Sequence, residues 1–353
     1  MIEPSALHQG GCPAARANCG GDAYLCNLLR RSHFASHLDR RFASSSTTAS
    51  SPVNRQSGRV RATTDAASAS SSRRPGRPIS IRRDTTAIGQ QMSARDWAVV
   101  QSVAQHRFLT VRHIHQLHFY GLSPKSGLRI TQRNLVRLRR WRVLGVLERR
   151  IGGLHAGSGG LVHYVDAIGA KLLQIDSGEP PKRRYTTPGH TFLTHTLAVA
   201  ETHIALITAQ LHGKLELIRG DVEAAAWRTY HGLGGALMTL RPDLYLETAG
   251  SVGAELISSW FFERDMGSES IPTLVRKSRE YATYHRTGIE QEQNDGVFPL
   301  VIWSLTAYSE SRAEERRSAL AEAIERDRHL DASLFRIIAP HQLIPLIQKG
   351  GDL

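Results

Sequence analysis

Between Leu128 and Leu147 the chain reads LRITQRNLVRLRRWRVLGVL, and no other stretch limits the possible folds so tightly. At about 100° per residue, Arg129, Arg133, Arg137 and Arg140 share one side of a helix within roughly 80°. Ile130, Leu135, Leu138 and Trp141 gather on the other side. No acid occurs from Lys125 to Leu147. Surface helices ordinarily mix signs, so an all-cationic face points to a polyanion. The apolar side needs partners, and the preceding sequence supplies two helices. Ser93, with Asp96 three residues later, caps one carrying Trp97, Val100 and Val103. Thr110 caps a short one carrying Val111, Ile114 and Leu117.

After the cationic helix come LERRI, the Gly-rich GGLHAGSGG and LVHYVDA, which predict two short strands around a loop, and then IGAKLL, a closing helix. Residues 93–178 therefore read as a winged helix-turn-helix, whose third helix enters the major groove of duplex DNA. Arg129, Arg133, Arg137 and Arg140 are the expected DNA-binding residues. His113-Ile114-His115 resembles the His-hydrophobic-His signature of nickases, with Tyr120 as a conceivable nucleophile. That chemistry needs both imidazoles on one side of a strand. The helical reading points them about 200° apart, so they are expected to be ordinary histidines.

Charge is unevenly spread. Thirteen arginines, no lysine and five acids lie in residues 1–92, which carry more than half of the net +13. The middle of this stretch, SSSTTASSPVNRQSGRVRATTDAASASSSRRPGRP, has almost nothing apolar to bury, and residues 1–92 are expected to be a disordered basic tail. An organellar transit peptide and a true start at Met92 are the alternatives. Cys12, Cys19 and Cys26 all fall in this tail and match no zinc spacing. No run of 18 apolar residues occurs, so no membrane partner is expected and the location is read as cytoplasmic.

Beyond a linker at 179–192, residues 193–345 predict a helix over 193–211 and strands near 215–219, 243–247 and 259–265. A helix over 274–284, a strand over 298–305, a helix over 312–328 and a strand over 333–338 follow. Acids stand at the strand ends. Mg²⁺-dependent phosphodiester hydrolysis needs carboxylates converging on one hard cation, with a lysine to orient water. Asp243 and Glu263, on neighbouring strands, are the expected metal ligands, and Asp265 shares the face of Glu263. Solvated acids paired with Arg264 and Arg279 are the plain alternative.

The ordered set of basic winged helix, HTLAVAETHIAL, RPDLYLE, FFERDMGSES and LVRKSREYATYH resembles the replication-relaxation family, bacterial proteins of plasmids and integrative elements. The resemblance covers residues 95–330. It implies a role in element replication or DNA relaxation.

The second half also resembles the restriction-endonuclease-like fold, with Pro242-Asp243 and Glu263 in its Pro-Asp and Asp/Glu-x-Lys positions. The overall class is then mixed α/β, a winged helix followed by an α-β-β-β-α-β domain. Asp265 stands where that motif has lysine, and Lys277 on the next helix is the substitute. The implied catalytic set is Asp243, Glu263, Asp265 and Lys277, with Mg²⁺ as cofactor, and Glu201 can lend a further carboxylate. A domain that cuts DNA and one that only binds it are both compatible with these residues. So is a transcriptional regulator whose C-terminal domain forms a homo-oligomer.

Overall fold

The computed structural model describes residues 81–147, 160–178 and 188–352. Tail residues 1–80, most of the expected LERRI strand and Gly-rich loop (148–159), and linker residues 179–187 lie outside them.

The first helix, α1 (Ile81–Gln91), occupies the end of the stretch whose composition predicts disorder. The correction has a local cause. Met92 is buried, Ile88 packs against the same apolar cluster, and α1 lies along α5 (Ala167–Ser177). Composition averaged over a long polar segment hides two such residues.

Next comes α2 (Ala94–His106), which begins in a full capping box. Ser93 Oγ accepts the Asp96 N–H at 3.2 Å, and Asp96 Oδ2 accepts the Ser93 N–H at 2.9 Å. Then follow β1 (Leu109–Thr110), α3 (Val111–His118) and α4 (Pro124–Arg140), the cationic helix. Because α3 is a helix, His113 turns inward and is buried, whereas His115 lies on another side with its Nδ1 3.1 Å from Thr131 Oγ1. No nickase-type pair forms.

In α4, Thr131, Leu135 and Leu138 are buried, but Ile130 is 38% exposed. The buried stripe centres on Thr131 and Leu138, and Ile130 falls on its far flank. The helix stops at Arg140. Arg142 adopts φ 56° and the chain turns into β2 (Leu144–Val146). With β3 (Val162–Val165) these form a small antiparallel sheet in the order β1-β3-β2.

The second half is built on a five-stranded sheet. Preceded by α6 (His190–Leu211), its strands are β4 (Glu216–Val222), β7 (Leu244–Ala249), β8 (Ile257–Asp265), β9 (Leu300–Leu305) and β10 (Phe335–Ile338), in the order β10-β9-β8-β7-β4. β4, β7 and β8 run antiparallel, whereas β8, β9 and β10 run parallel. A hairpin of β5 (Arg228–His231) and β6 (Leu237–Leu240), absent from the sequence-based expectation, lies between β4 and β7. The remaining helices are α7 (Ile271–His285), the short α8 (Ile289–Gln293), α9 (Glu310–Arg326) and α10 (Leu343–Gln348).

Both faces of the central strands are covered, which explains the unbroken apolar run Trp260-Phe261-Phe262. Trp260 and Phe262 join the cluster under α6 and α10, and Phe261 joins Tyr281, Tyr284 and Trp303 under α7 and α9.

Of the described helices, α6 alone is long and apolar enough to cross a membrane. Here it is a core element, packed against α3 and β4. One apolar cluster runs from Val99 and Leu138 through Ile204 to Phe262, so the core continues from the three-helix unit into the sheet. Inside it His106 of α2 meets His203 of α6, Nε2 to Nδ1 at 2.9 Å, and His106 Nδ1 donates to Ser102 O at 2.8 Å. Gly220 of β4 makes room, because a Cβ there would stand 2.5 Å from His203 Nε2.

This packing has two measurable consequences. Removing residues 1–92 strips Ile88 and Met92 from the core and lowers the melting midpoint by roughly 5–10 °C relative to removing 1–80; equal midpoints would show that α1 contributes nothing. Burial holds the His106, His113 and His163 rings at a pKa of about 4 and His203 at about 3. Their contribution to stability is complete above about pH 6.5, the unfolded value, and is lost as pH falls toward 4 because the unfolded chain takes up the protons. Glu223 and Glu263, shifted upward by burial, and His195, raised by its bond to Asp243, act the other way but are outnumbered. Thermal melts at pH 7.5, 6 and 5 are expected to show a falling midpoint, and a flat profile would contradict this.

Candidate functional site

Two features stand out: the cationic face of α4 and a cluster of titratable groups at one end of the large sheet. On α4, Arg129, Arg133, Arg137 and Arg140 share one exposed face with Gln132 and Val136. Arg137 is also structural. Its Nη2 lies 2.6 and 2.7 Å from the two oxygens of the buried Asp96, which further accepts Asn134 Nδ2 at 2.6 Å. Burial raises the Asp96 carboxyl, but hydrogen bonds from Ser93, Asn134 and Arg137 overcome it and hold the pKa below the usual value. Arg129, Arg133 and Arg140 form no ion pair among the described residues, so their charges face solvent.

Strand pairing builds the second cluster. Leu244 stands opposite Phe262, so Asp243 reaches the level of Glu263 one step beyond the ladder. Asp243 Oδ2 accepts the Arg264 N–H at 2.7 Å, and Oδ1 lies 2.9 Å from His195 Nε2 on α6. Glu263 is buried on the α7 side, where the Tyr281 hydroxyl donates to its Oε1 at 2.5 Å. Lys277, one turn before Tyr281, bonds Glu269 Oε1 at 2.9 Å.

The electrostatics tie these groups together. Burial and the adjacent Asp243 charge push the Glu263 carboxyl well above the ordinary range, and Lys277 and the Tyr281 hydrogen bond oppose the shift. Burial pulls Lys277 down, yet Glu263, Glu269 and Asp243 together raise it above its usual value. The hydrogen bond to Asp243 raises His195 against the cost of burial, favouring the imidazolium. Glu223, just past β4, is raised by burial and by Asp243 while Arg107 bonds it at 3.2 Å.

Of the expected site residues, Asp243, Glu263 and Lys277 are brought into one electrostatic group. Asp265 has the predicted facing but is engaged elsewhere: Arg316 Nη2 binds its Oδ2 at 2.6 Å, and its buried Oδ1 has no partner among the described residues. Glu201 remains exposed, and its charge acts on Arg264. His195, Glu223 and Tyr281 join the group without a role assigned from sequence. The available signal for Tyr281 is its i+4 spacing from Lys277, and His195 stands inside the HTLAVAETHIAL block.

Among the described residues no three of His, Cys, Asp and Glu group as a ready metal cage. Two carboxylates of like charge side by side nonetheless suit Mg²⁺, which typically takes one or two carboxylates and keeps much of its water. Burial first, and the neighbouring Asp243 charge second, raise Glu263, and a cation would relieve the second of these.

This network sets a signed expectation. In Asp243→Asn the His195 ring loses its anionic partner, so its pKa by NMR titration falls below the wild-type value, toward or under about 6.5. An unchanged His195 titration would show that the two do not interact.

Among known proteins, no curated sequence and no solved structure matches this chain. The sequence profile described as replication-relaxation matches residues 100–301, which begins within α2 and ends at the start of β9. That span takes in both the arginine helix and the Asp243–Glu263–Lys277 group and exceeds half of the 353 residues. The chain belongs to the replication-relaxation family.

Proposed function

We propose that this chain is a cytoplasmic DNA-binding protein of a bacterial plasmid or integrative element that grips duplex DNA through α4 and presents the end of its large sheet to the phosphodiester backbone. The observation that carries the reading is the outward row of Arg129, Arg133 and Arg140 on a helix with no acid of its own. α2, α3 and α4, followed by the antiparallel β2 and β3, have the order of a winged helix-turn-helix, in which the third helix enters the major groove. Arginines on that helix reach phosphates and guanine edges.

The second half supports a nuclease-like reading through Asp243, Glu263 and Lys277. Asp243 and Glu263 are the residues that would hold Mg²⁺, which supplies Lewis acidity to a phosphoryl oxygen. Lys277, kept charged by three carboxylates, offers a proton donor or an orienting charge beside Glu263. The His195 ring, whose protonated form the bond to Asp243 favours, adds a phosphate-binding group at Asp243. Asp265, neutralised by Arg316, maintains the loop after β8 and takes no part in this reading.

The test begins with salt-dependent binding to duplex DNA. Arg129→Ala/Arg133→Ala/Arg140→Ala should lower the slope of log K against log salt by about 0.9 for each phosphate no longer neutralised, up to roughly 3, without changing the melt. Arg137 is left in place because it anchors Asp96. Unaltered affinity and slope would remove α4 as the DNA-binding element. Plasmid nicking with Mg²⁺ by the wild type, abolished in Lys277→Ala, would support catalysis, whereas equal nicking by both would remove Lys277 from the site.

A further inference from the structure

The sheet end that carries Asp243 is edged by two exposed aromatic rings, each covered by an arginine. On one side Arg107, at the end of α2, lies over Phe192 of α6 with its guanidinium carbon 5.4 Å from the ring centroid. Phe192 is 43% exposed and sits one turn before His195, whose ring binds Asp243. On the other side Arg241 lies 5.0 Å over Trp227, which is 39% exposed. Arg241 is two residues before Asp243, and Trp227 opens the β5–β6 hairpin beside it.

Phe192 and Trp227 are thus two exposed flat rings, each paired with a guanidinium, beside a polar, charged site. Arg107 also makes the ion pair with Glu223, and both residues have positive φ, 65° and 55°, a backbone that non-glycine residues avoid. Backbone strain of this kind gathers where geometry serves a site.

Flat rings paired with guanidinium groups are what unpaired bases require. Every base has a face that stacks on an aromatic ring, and the arginine adds a partner for the phosphate. Paired bases inside a duplex hide those faces, so the rings gain no stacking from an intact double helix.

Resting on the DNA-binding reading above, we propose that Phe192 and Trp227, with Arg107 and Arg241, form a stacking platform for unpaired nucleotides on either side of Asp243. The substrate of the sheet-end site is then a melted or single-stranded DNA segment, next to the duplex held by α4. Phe192 and Trp227 are positioning residues that fix the strand across Asp243.

The experiment is fluorescence anisotropy of the full chain with a short labelled single strand, the same strand annealed to its complement, and an abasic strand of equal length. Phe192→Ala and Trp227→Ala should each weaken single-strand binding roughly tenfold and leave duplex binding within about twofold. Trp227→Phe should retain most of the affinity, and the abasic strand should bind weakly and respond to neither substitution. Near-unchanged single-strand affinity in both alanine variants would overturn the proposal, as would an equal loss on duplex and single strand. A change in self-association with DNA binding unaffected would also overturn it, assigning the rings to a protein contact. The α4 triple variant separates the two readings. If it loses duplex binding while Phe192→Ala and Trp227→Ala change nothing, the platform fails and the DNA-binding reading stands.

Discussion

The packing of α6 between the three-helix unit and the large sheet is the contact on which the rest of this structure depends. Leu193 and Leu197 near its start meet Phe108, Leu147 and Val162, while Ile204 and Ile207 join the cluster that reaches β4, β7 and β8. A helix apolar on so much of its circumference is stable in water only if both sides are covered. Within that contact the neutral His106–His203 pair satisfies two buried rings with one hydrogen bond and a backbone acceptor. Placing α6 fixes His195 against Asp243, Phe192 under Arg107, and α4 relative to the sheet end. The two surfaces are thus joined through one continuous core.

The sheet end is a balance of charges that are costly apart and tolerable together. Glu263 is buried beside Asp243, a combination that disfavours two anions. Lys277 and the Tyr281 hydroxyl offset it at Glu263, and His195 bonds Asp243.

Much of this is legible in the chain. The helix of α4, the capping of α2 and α3, the strands carrying Asp243 and Glu263 and the helix carrying Lys277 are all evident from period and caps. They depend on local patterning, which a single sequence displays. The features that are not legible depend on distant partners. α1 is obscured by the polar residues around Ile88 and Met92. Ile130 looks like core because it is apolar, though the buried stripe passes it by. The β5–β6 hairpin is short, with only Tyr230 and Leu240 fully inward, too few to mark a strand pattern. Asp265 falls on the expected face, but its capture by Arg316, 51 residues away, has no local sign. His195 meets Asp243 across 48 residues, and only the fold brings them together.

The central claim is that one rigid body offers DNA both the arginine face of α4 and the sheet end around Asp243. Hydrogen exchange of the full chain, free and bound to a duplex containing a short unpaired segment, tests it most directly. The account predicts slowed exchange in two separate places, α4 and the segments flanking Trp227 and Asp243, with little change in α9 and β10. Protection restricted to α9 and β10, or absent from α4, would contradict it.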